Sequence, residues 1–230
     1  MLGRLLGGQD RLLNFFFPRY CLGCGREGAY FCQSCRRDLP FQLPPFCPRC
    51  GKGLDHHPSC DDIAPELTAL HSVFRFEGVI KKAVHQFKYN NLRDLAGPLG
   101  GYLAEYMKLH DLTADALVPV PLHKSRLRER GYNQSELLAI MIHRLTDTPV
   151  FVDTLRKTRS TRPQAESQSV TDRRNAVADA FRCYNSSLTG RSVILIDDVA
   201  TSGATLNACA RALTAGGAAE VRALTLAREI

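Results

Sequence analysis

Val193-Ile194-Leu195-Ile196-Asp197-Asp198-Val199-Ala200-Thr201-Ser202-Gly203-Ala204-Thr205 is the stretch on which the reading of this chain turns. Four consecutive apolar residues suit a central strand buried on both faces, as in a parallel sheet. Two carboxylates emerge just past its end, and a turn of small residues then opens a helix. Ligands of α/β sheets bind at the carboxyl ends of the strands. The N–H groups of 201–205, with the hydroxyls of Thr201, Ser202 and Thr205, form a cradle for a phosphate at the positive helix N-terminus. Gly203 permits close backbone approach. Asp197 and Asp198 are placed to accept hydrogen bonds from two adjacent sugar hydroxyls, with a metal held nearby. An ordinary strand–turn–helix with capping side chains explains any one of these features, but not the whole string.

Working outward, the pattern from residue 70 onward alternates strands and helices. Strands are expected over residues 73–77, 116–120, 150–154, 192–196 and 220–227. Apolar residues at 79, 80, 83, 84 and 87 give an amphipathic helix over 79–89. Further helices are expected over 92–109, disturbed early by Gly97-Pro98, over 135–144, capped by Asn133 or Ser135, and over 204–215. Residues 156–175 carry few apolar side chains and read as a long mobile loop, whose Arg156, Lys157, Arg159 and Arg162 suit a lid over an anion. The fold class is α/β, a mostly parallel sheet flanked by helices.

Ahead of this body lies a cysteine-rich head. Seven of the nine cysteines fall at 21, 24, 32, 35, 47, 50 and 60. Cys21/Cys24, Cys32/Cys35 and Cys47/Cys50 are CxxC pairs, and His57 and Cys60 form an HxxC pair. Two such turns close a tetrahedral Zn²⁺ site, so the eight ligands serve two structural zincs. Sequential pairing puts 21/24/32/35 on one ion and 47/50/57/60 on the other. Interleaved pairing, 21/24/47/50 with 32/35/57/60, is open, as is His56 in place of His57. A full set of protein ligands leaves no position for water, which favours a structural or docking role over metal catalysis. We therefore expect an N-terminal helix and a double zinc-ribbon module over 1–66 and the α/β domain over 67–230. Cys183 and Cys209 read as small buried hydrophobes, and Phe15-Phe16-Phe17 as packing between head and body.

Composition bounds the rest. The 230 residues are 44% apolar, which excludes a wholly disordered chain. No apolar run approaches the roughly 20 residues of a membrane span. Charges break the N-terminal apolar stretch at Arg4, Asp10 and Arg11, against a secretory signal and for a cytoplasmic protein. Of the net charge of +7, residues 118–162 supply +5 (9 basic minus 4 acidic), as an anion-facing region would.

The stretch 193–205 resembles the phosphoribosyl-pyrophosphate (PRPP) signature of type I phosphoribosyltransferases. A second segment, Val118-Pro119-Val120-Pro121-Leu122-His123-Lys124 followed by Arg126, Arg128, Arg130 and Gly131-Tyr132-Asn133-Gln134, resembles the competence-associated ComF/GntX family. Phe87-Lys88-Tyr89, the stretch 173–181 and the cysteine-rich head fit the same family. The resemblance implies that Asp197 and Asp198 bind ribose and that Ala200, Thr201, Ser202, Gly203, Ala204 and Thr205 bind the 5′-phosphate. It also implies that Val120, Pro121, Leu122, His123 and Lys124 form the pyrophosphate loop. Lys124 and Arg126 would act with Asp197 and Asp198 in catalysis, with Mg²⁺ accompanying PRPP. A role in natural transformation or use of DNA follows from the family, with single-stranded DNA and a transformation helicase or other competence protein as partners. Where a fourth CxxC is expected, the chain has His57-Pro58-Ser59-Cys60. Nothing after Asp198 reads as a nucleobase-specificity segment, and Met1-Leu2 offers no N-terminal cysteine nucleophile for glutamine chemistry. Tyr132 and Asn133 suit either a base contact or a structural role.

Overall fold

The computed structural model describes residues 18–42, 65–158 and 180–229. In chain order, the ribbon contributes a short helix α1 (Gln33–Arg37), followed by β1 (Ala69–Arg75), α2 (Gly78–Tyr89), a 3-10 turn (Arg93–Leu95), α3 (Ala96–Leu109) and β2 (Ala116–Pro119). Then come α4 (Lys124–Arg130), α5 (Gln134–Thr146), β3 (Leu155–Lys157), β4 (Phe181–Cys183), β5 (Ser192–Ala200), α6 (Ala204–Ala215) and β6 (Glu220–Arg228). Four strands form a fully parallel sheet in the order β1-β6-β5-β2, and β3 and β4 pair antiparallel apart from it.

Strand β5 is the spine of the sheet because its four consecutive apolar residues at 193–196 are all buried and alternate between two cores. Val193 and Leu195 pack with Ala116 and Val118 of β2 and with Leu206 and Leu213 of α6. Ile194 and Ile196 face the other way, among Leu99 and Leu103 of α3 and Leu138 and Ile142 of α5. Each fully buried Leu or Ile contributes about 1.5–3 kcal/mol. Helices α3 and α5 approach closely at Gly100, where an added Cβ would lie 2.5 Å from Met141 Cβ.

Consequently the helix after β2 that packs on the sheet, α5, and the helix after β5, α6, lie on opposite faces. β2 and β5 are neighbours, so their outgoing chains part and leave a crevice between them. That is the switch-point arrangement in which open α/β sheets bind ligands.

The head joins this sheet directly. Phe41 bridges Phe74 antiparallel, the Gln42 N–H donates to Val73 O (2.9 Å), and the Arg75 N–H donates to Pro40 O (2.8 Å). Phe31 is buried and meets Tyr102 edge-on at 6.1 Å. Lys82 of α2 donates to Leu22 O at 2.9 Å.

Most expected elements form within a few residues, with instructive departures. β1 runs over 69–75 rather than 73–77, its polar His71 and Ser72 having masked the start. In the 92–109 segment, Pro98 sits in the first turn of α3, where a missing N–H costs little, after a 3-10 turn. No strand forms over 150–154. Val150 bridges Leu117 and the Phe151 N–H reaches Leu117 O, but β2 ends at Pro119, which has no N–H to extend the ladder. Residues 156 and 157, expected in a loop, belong to β3. β5 runs on to Ala200, so Asp197 and Asp198 lie within its C-terminal half rather than beyond it.

Candidate functional site

Pairing explains why the acidic pair is accessible. β2 accompanies β5 only to the pair Pro119–Ile196, whereas β6 stays with β5 to Ala200. From Asp197 onward, one edge of β5 is therefore free of a neighbouring strand and lines the crevice. The Asp197 carboxylate accepts hydrogen bonds from Ser135 Oγ and from the Asp198 N–H, both at 2.9 Å. Asp198 is buried, and its Oδ1 lies 2.6 Å from Lys88 Nζ at the end of α2. Burial and the neighbouring Asp198 charge push the Asp197 carboxyl well up, against the opposing pull of Lys88, the Asp198 N–H and Ser135.

The turn after β5 encloses a cavity of about 50 Å³ lined by Asp197 and by Val199 through Leu206, including Thr201, Ser202 and Thr205. This is far below the roughly 300–1,000 Å³ of sites for drug-sized ligands and suits a single tetrahedral anion. Gly203 is the N-cap of α6 with φ 74°, a left-handed conformation that costs a side-chain-bearing residue about 1 kcal/mol or more. Thr201 and Ser202 are exposed, and Ser202 Oγ accepts from the Ala204 N–H at 3.4 Å. The twelve-residue helix α6 thus points its N-terminus at the cavity.

Across the crevice, Val120 is buried, and Pro121, Leu122 and His123 lead into α4. His123 caps that helix: its Nδ1 accepts from the Ser125 N–H (3.3 Å) and lies 2.8 Å from Ser125 Oγ. Lys124 and Arg126 are exposed at the start of α4. Lys157 of β3 feels both Arg126 and Asp197, and burial together with Arg126 holds its ammonium below the usual lysine range. So β3, β5 and α4 bring the charged groups of Lys157, Asp197 and Arg126 together at one crevice.

A buttress holds the rear of the site. Asn133 Nδ2 donates to Val120 O (3.0 Å) while its Oδ1 accepts from the Ser135 N–H (3.1 Å), capping α5. The buried Tyr132 hydroxyl and Gln134 Nε2 both donate to Phe87 O. Tyr132 and Asn133 therefore tie the loop after α4 to α2 and β2, which is a structural role.

In the head, the thiols of Cys21, Cys24, Cys32 and Cys35 lie within 4.8 Å of one another, with Cys24 Sγ 3.7 Å from Cys32 Sγ. A Zn–S bond of about 2.3 Å gives a tetrahedral S···S edge of about 3.8 Å, so the set fits zinc. Burial alone would raise the Cys21 thiol, but N–H groups of Cys32, Cys24 and Gly23 bring it down to about 6, ready to be a thiolate ligand. This geometry follows the sequential pairing. Cys47, Cys50, His57, Cys60, the alternative His56, the Phe15–Phe17 run and the lid residues Arg159 and Arg162 lie outside the described residues. Cys209 is fully buried, whereas Cys183 is only partly so.

Comparison with known proteins assigns the family. Competence protein ComFC of Bacillus subtilis is 30% identical over 210 residues, which cover 86% of this chain and 83% of that protein. The chain belongs to the ComF family. Two other relatives of this ComF-family chain are Competence protein F of Haemophilus influenzae and DNA utilization protein YhgH of Escherichia coli. The first is 29% identical over 234 residues, covering 94% of this chain and all of that protein. The second is 30% identical over 194 residues, covering 80% and 85%. The family profile described as a phosphoribosyl transferase domain matches residues 135–230, and that of a double zinc ribbon domain matches 12–64. The head is accordingly a zinc module and the body a phosphoribosyltransferase-like fold. No helix among the described residues is long and apolar enough to cross a membrane.

Sequence reasoning did not assign roles to Lys88 and Ser135, the two direct partners of the acidic pair. Lys88 lay within the Phe87-Lys88-Tyr89 motif and Ser135 at an expected helix start. Neither motif could say that its residue reaches β5.

Proposed function

We propose that this chain binds PRPP with Mg²⁺ in the crevice between β2 and β5, and serves the uptake or nutritional use of DNA in the cytoplasm. One observation carries the reading. Two adjacent carboxylates sit on an unpaired edge of β5, and a phosphate-sized cavity at the N-terminus of α6 lies next to them. A ribose 5-phosphate presents vicinal hydroxyls and a dianion at matching positions. In this reading Asp197 and Asp198 accept from the ribose hydroxyls, and Ala200, Thr201, Ser202, Gly203, Ala204 and Thr205 hold the 5′-phosphate. Val120, Pro121, Leu122, His123 and Lys124 border the pyrophosphate, with Arg126 adding charge.

The acidic pair is also the donor set that would hold Mg²⁺, which when bound supplies charge neutralisation at the diphosphate. Should the bound PRPP react, its C1–O bond breaks, pyrophosphate leaves with the electron pair, and a nucleophile bonds to C1. Lys124 and Arg126 would then stabilise the departing charge electrostatically. The relatives' names, and the basic excess around α4, support the link to DNA.

Calorimetric titration of the zinc-loaded protein with PRPP and Mg²⁺ tests the proposal. Saturable binding that is lost in Asp197→Asn/Asp198→Asn is the expected result. No binding by well-folded wild type would overturn it and leave single-stranded DNA as the ligand to pursue on this fold.

A further inference from the structure

Next to the acidic pair, the end of α2 and the turn that closes α4 enclose a second cleft of about 380 Å³. Its walls include Lys88, Tyr89, Arg93, Arg128, Glu129 and Arg130. Four cations thus meet one carboxylate. Lys88 is engaged by Asp198. Among the described residues, Arg93, Arg128 and Arg130 form no ion pair.

Neutral groups hold two of these arginines in place instead. The Arg130 guanidinium stacks 5.2 Å from the Tyr89 ring centre, and its Nη1 donates to Gln134 Oε1 at 2.6 Å. The Arg93 guanidinium lies 4.6 Å from the Tyr132 ring centre, and its Nε donates to Asn91 Oδ1 at 2.9 Å. Gly131, with φ 77°, ends α4 so tightly that an added Cβ would sit 3.1 Å from Arg93 Nη2. Aromatic faces and amides orient a guanidinium without cancelling its charge, and an oriented fork of N–H donors matches phosphate oxygens.

The cleft volume falls in the range of roughly 300–1,000 Å³ typical of small-molecule sites, so it has room for more than an inorganic anion. Tyr89, 64% exposed, stands at its edge packed by Arg130 and by the exposed His85 (ring centres 4.8 Å apart), so the exposed rims of these two rings are the aromatic surface for a base. We propose that this cleft binds a nucleotide: Arg93, Arg128 and Arg130 hold its phosphate, and its base lies toward Tyr89. The inference goes beyond the sugar-phosphate reading and does not require it, because only Lys88 touches both places.

The phosphate could belong to a free nucleotide or to a strand, and two probes separate these sources. The zinc-loaded full-length protein is titrated with thymidine monophosphate and with the unphosphorylated dinucleotide dTpT. Saturable binding of the monophosphate marks a free nucleotide, and binding of dTpT alone marks a strand. In either case Arg93→Gln/Arg128→Gln, two exposed positions, weakens binding at least tenfold with zinc content and Tm unchanged. Asp198→Asn, which releases Lys88, leaves binding as tight or tighter. Failure of wild type to bind either probe, persistence of binding in the arginine variant, or its loss in a folded Asp198→Asn protein overturns the proposal.

Discussion

Lys88 Nζ lies 2.6 Å from Asp198 Oδ1, joining the last turn of α2 to the end of β5. The side chains are 22% and 9% exposed, so this is a largely desolvated pair. With Ser135 on Asp197, it gives each acid of the pair a different partner. Lys88 neutralises Asp198, and Ser135 orients Asp197 without adding charge.

Lys88→Met should cost about 2 kcal/mol of stability, less than the roughly 3–5 kcal/mol for breaking a fully buried pair because Lys88 keeps some solvent contact. Chemical denaturation measures this. The double variant Lys88→Met/Asp198→Asn should recover part of the loss, since no carboxylate is then left uncompensated.

The raised Asp197 carboxyl should make the proposed PRPP binding pH-dependent. Its folded value is pushed to about 7, above the ordinary carboxyl range, so the native state keeps a proton that the unfolded chain has released. Acidification from 7 toward 4 therefore strengthens this group's contribution to folding, whereas binding that needs the carboxylate strengthens as pH rises through 7. Calorimetry of PRPP–Mg²⁺ from pH 5.5 to 8.5 should show the rise. Ser135→Ala removes a hydrogen bond to the charged form and should move the profile to higher pH.

Chelation of zinc should lower Tm and disturb the crevice together. The cysteine cluster grips α2, with Lys82 on Leu22 O and Val79 close to where a Cβ on Gly23 would lie, and α2 carries Lys88 to Asp198. Scanning calorimetry with and without chelator, repeated on Cys35→Ser, checks the first part. PRPP affinity of the metal-stripped protein, expected to fall severalfold, checks the second.

Gly100→Ala should destabilise by about 1–3 kcal/mol through overpacking where α3 meets α5 at Met141. Ligand affinities should not change, because the contact is away from the crevice. Gly100→Ala/Met141→Ala should restore much of the loss.

What the sequence made legible follows from what local pattern can encode. The 193–205 stretch carried the central strand, the acidic pair and the small-residue turn into α6, because a continuous apolar run, a Gly at φ 74° and hydroxyls at a helix start are all local. Helix α4 escaped notice because KSRLRER holds one apolar residue, Leu127, and so shows no stripe. β3 and β4 escaped because each has three residues and its partner lies across a long stretch of chain. The false strand at 150–154 had the right composition but no neighbour past Pro119 to pair with. The Lys88–Asp198 contact is a product of tertiary packing, which no window of sequence contains.

The bridge from Phe41 to Phe74 places residues 40–42 along the outer rim of β1. An uncovered rim of unpaired N–H and C=O groups is a template for pairing with another chain. The metal-bound module thus also acts as a built-in guard against self-association. A body severed from its head would expose that rim, and its failure would be seen as precipitation rather than as a loss of chemistry.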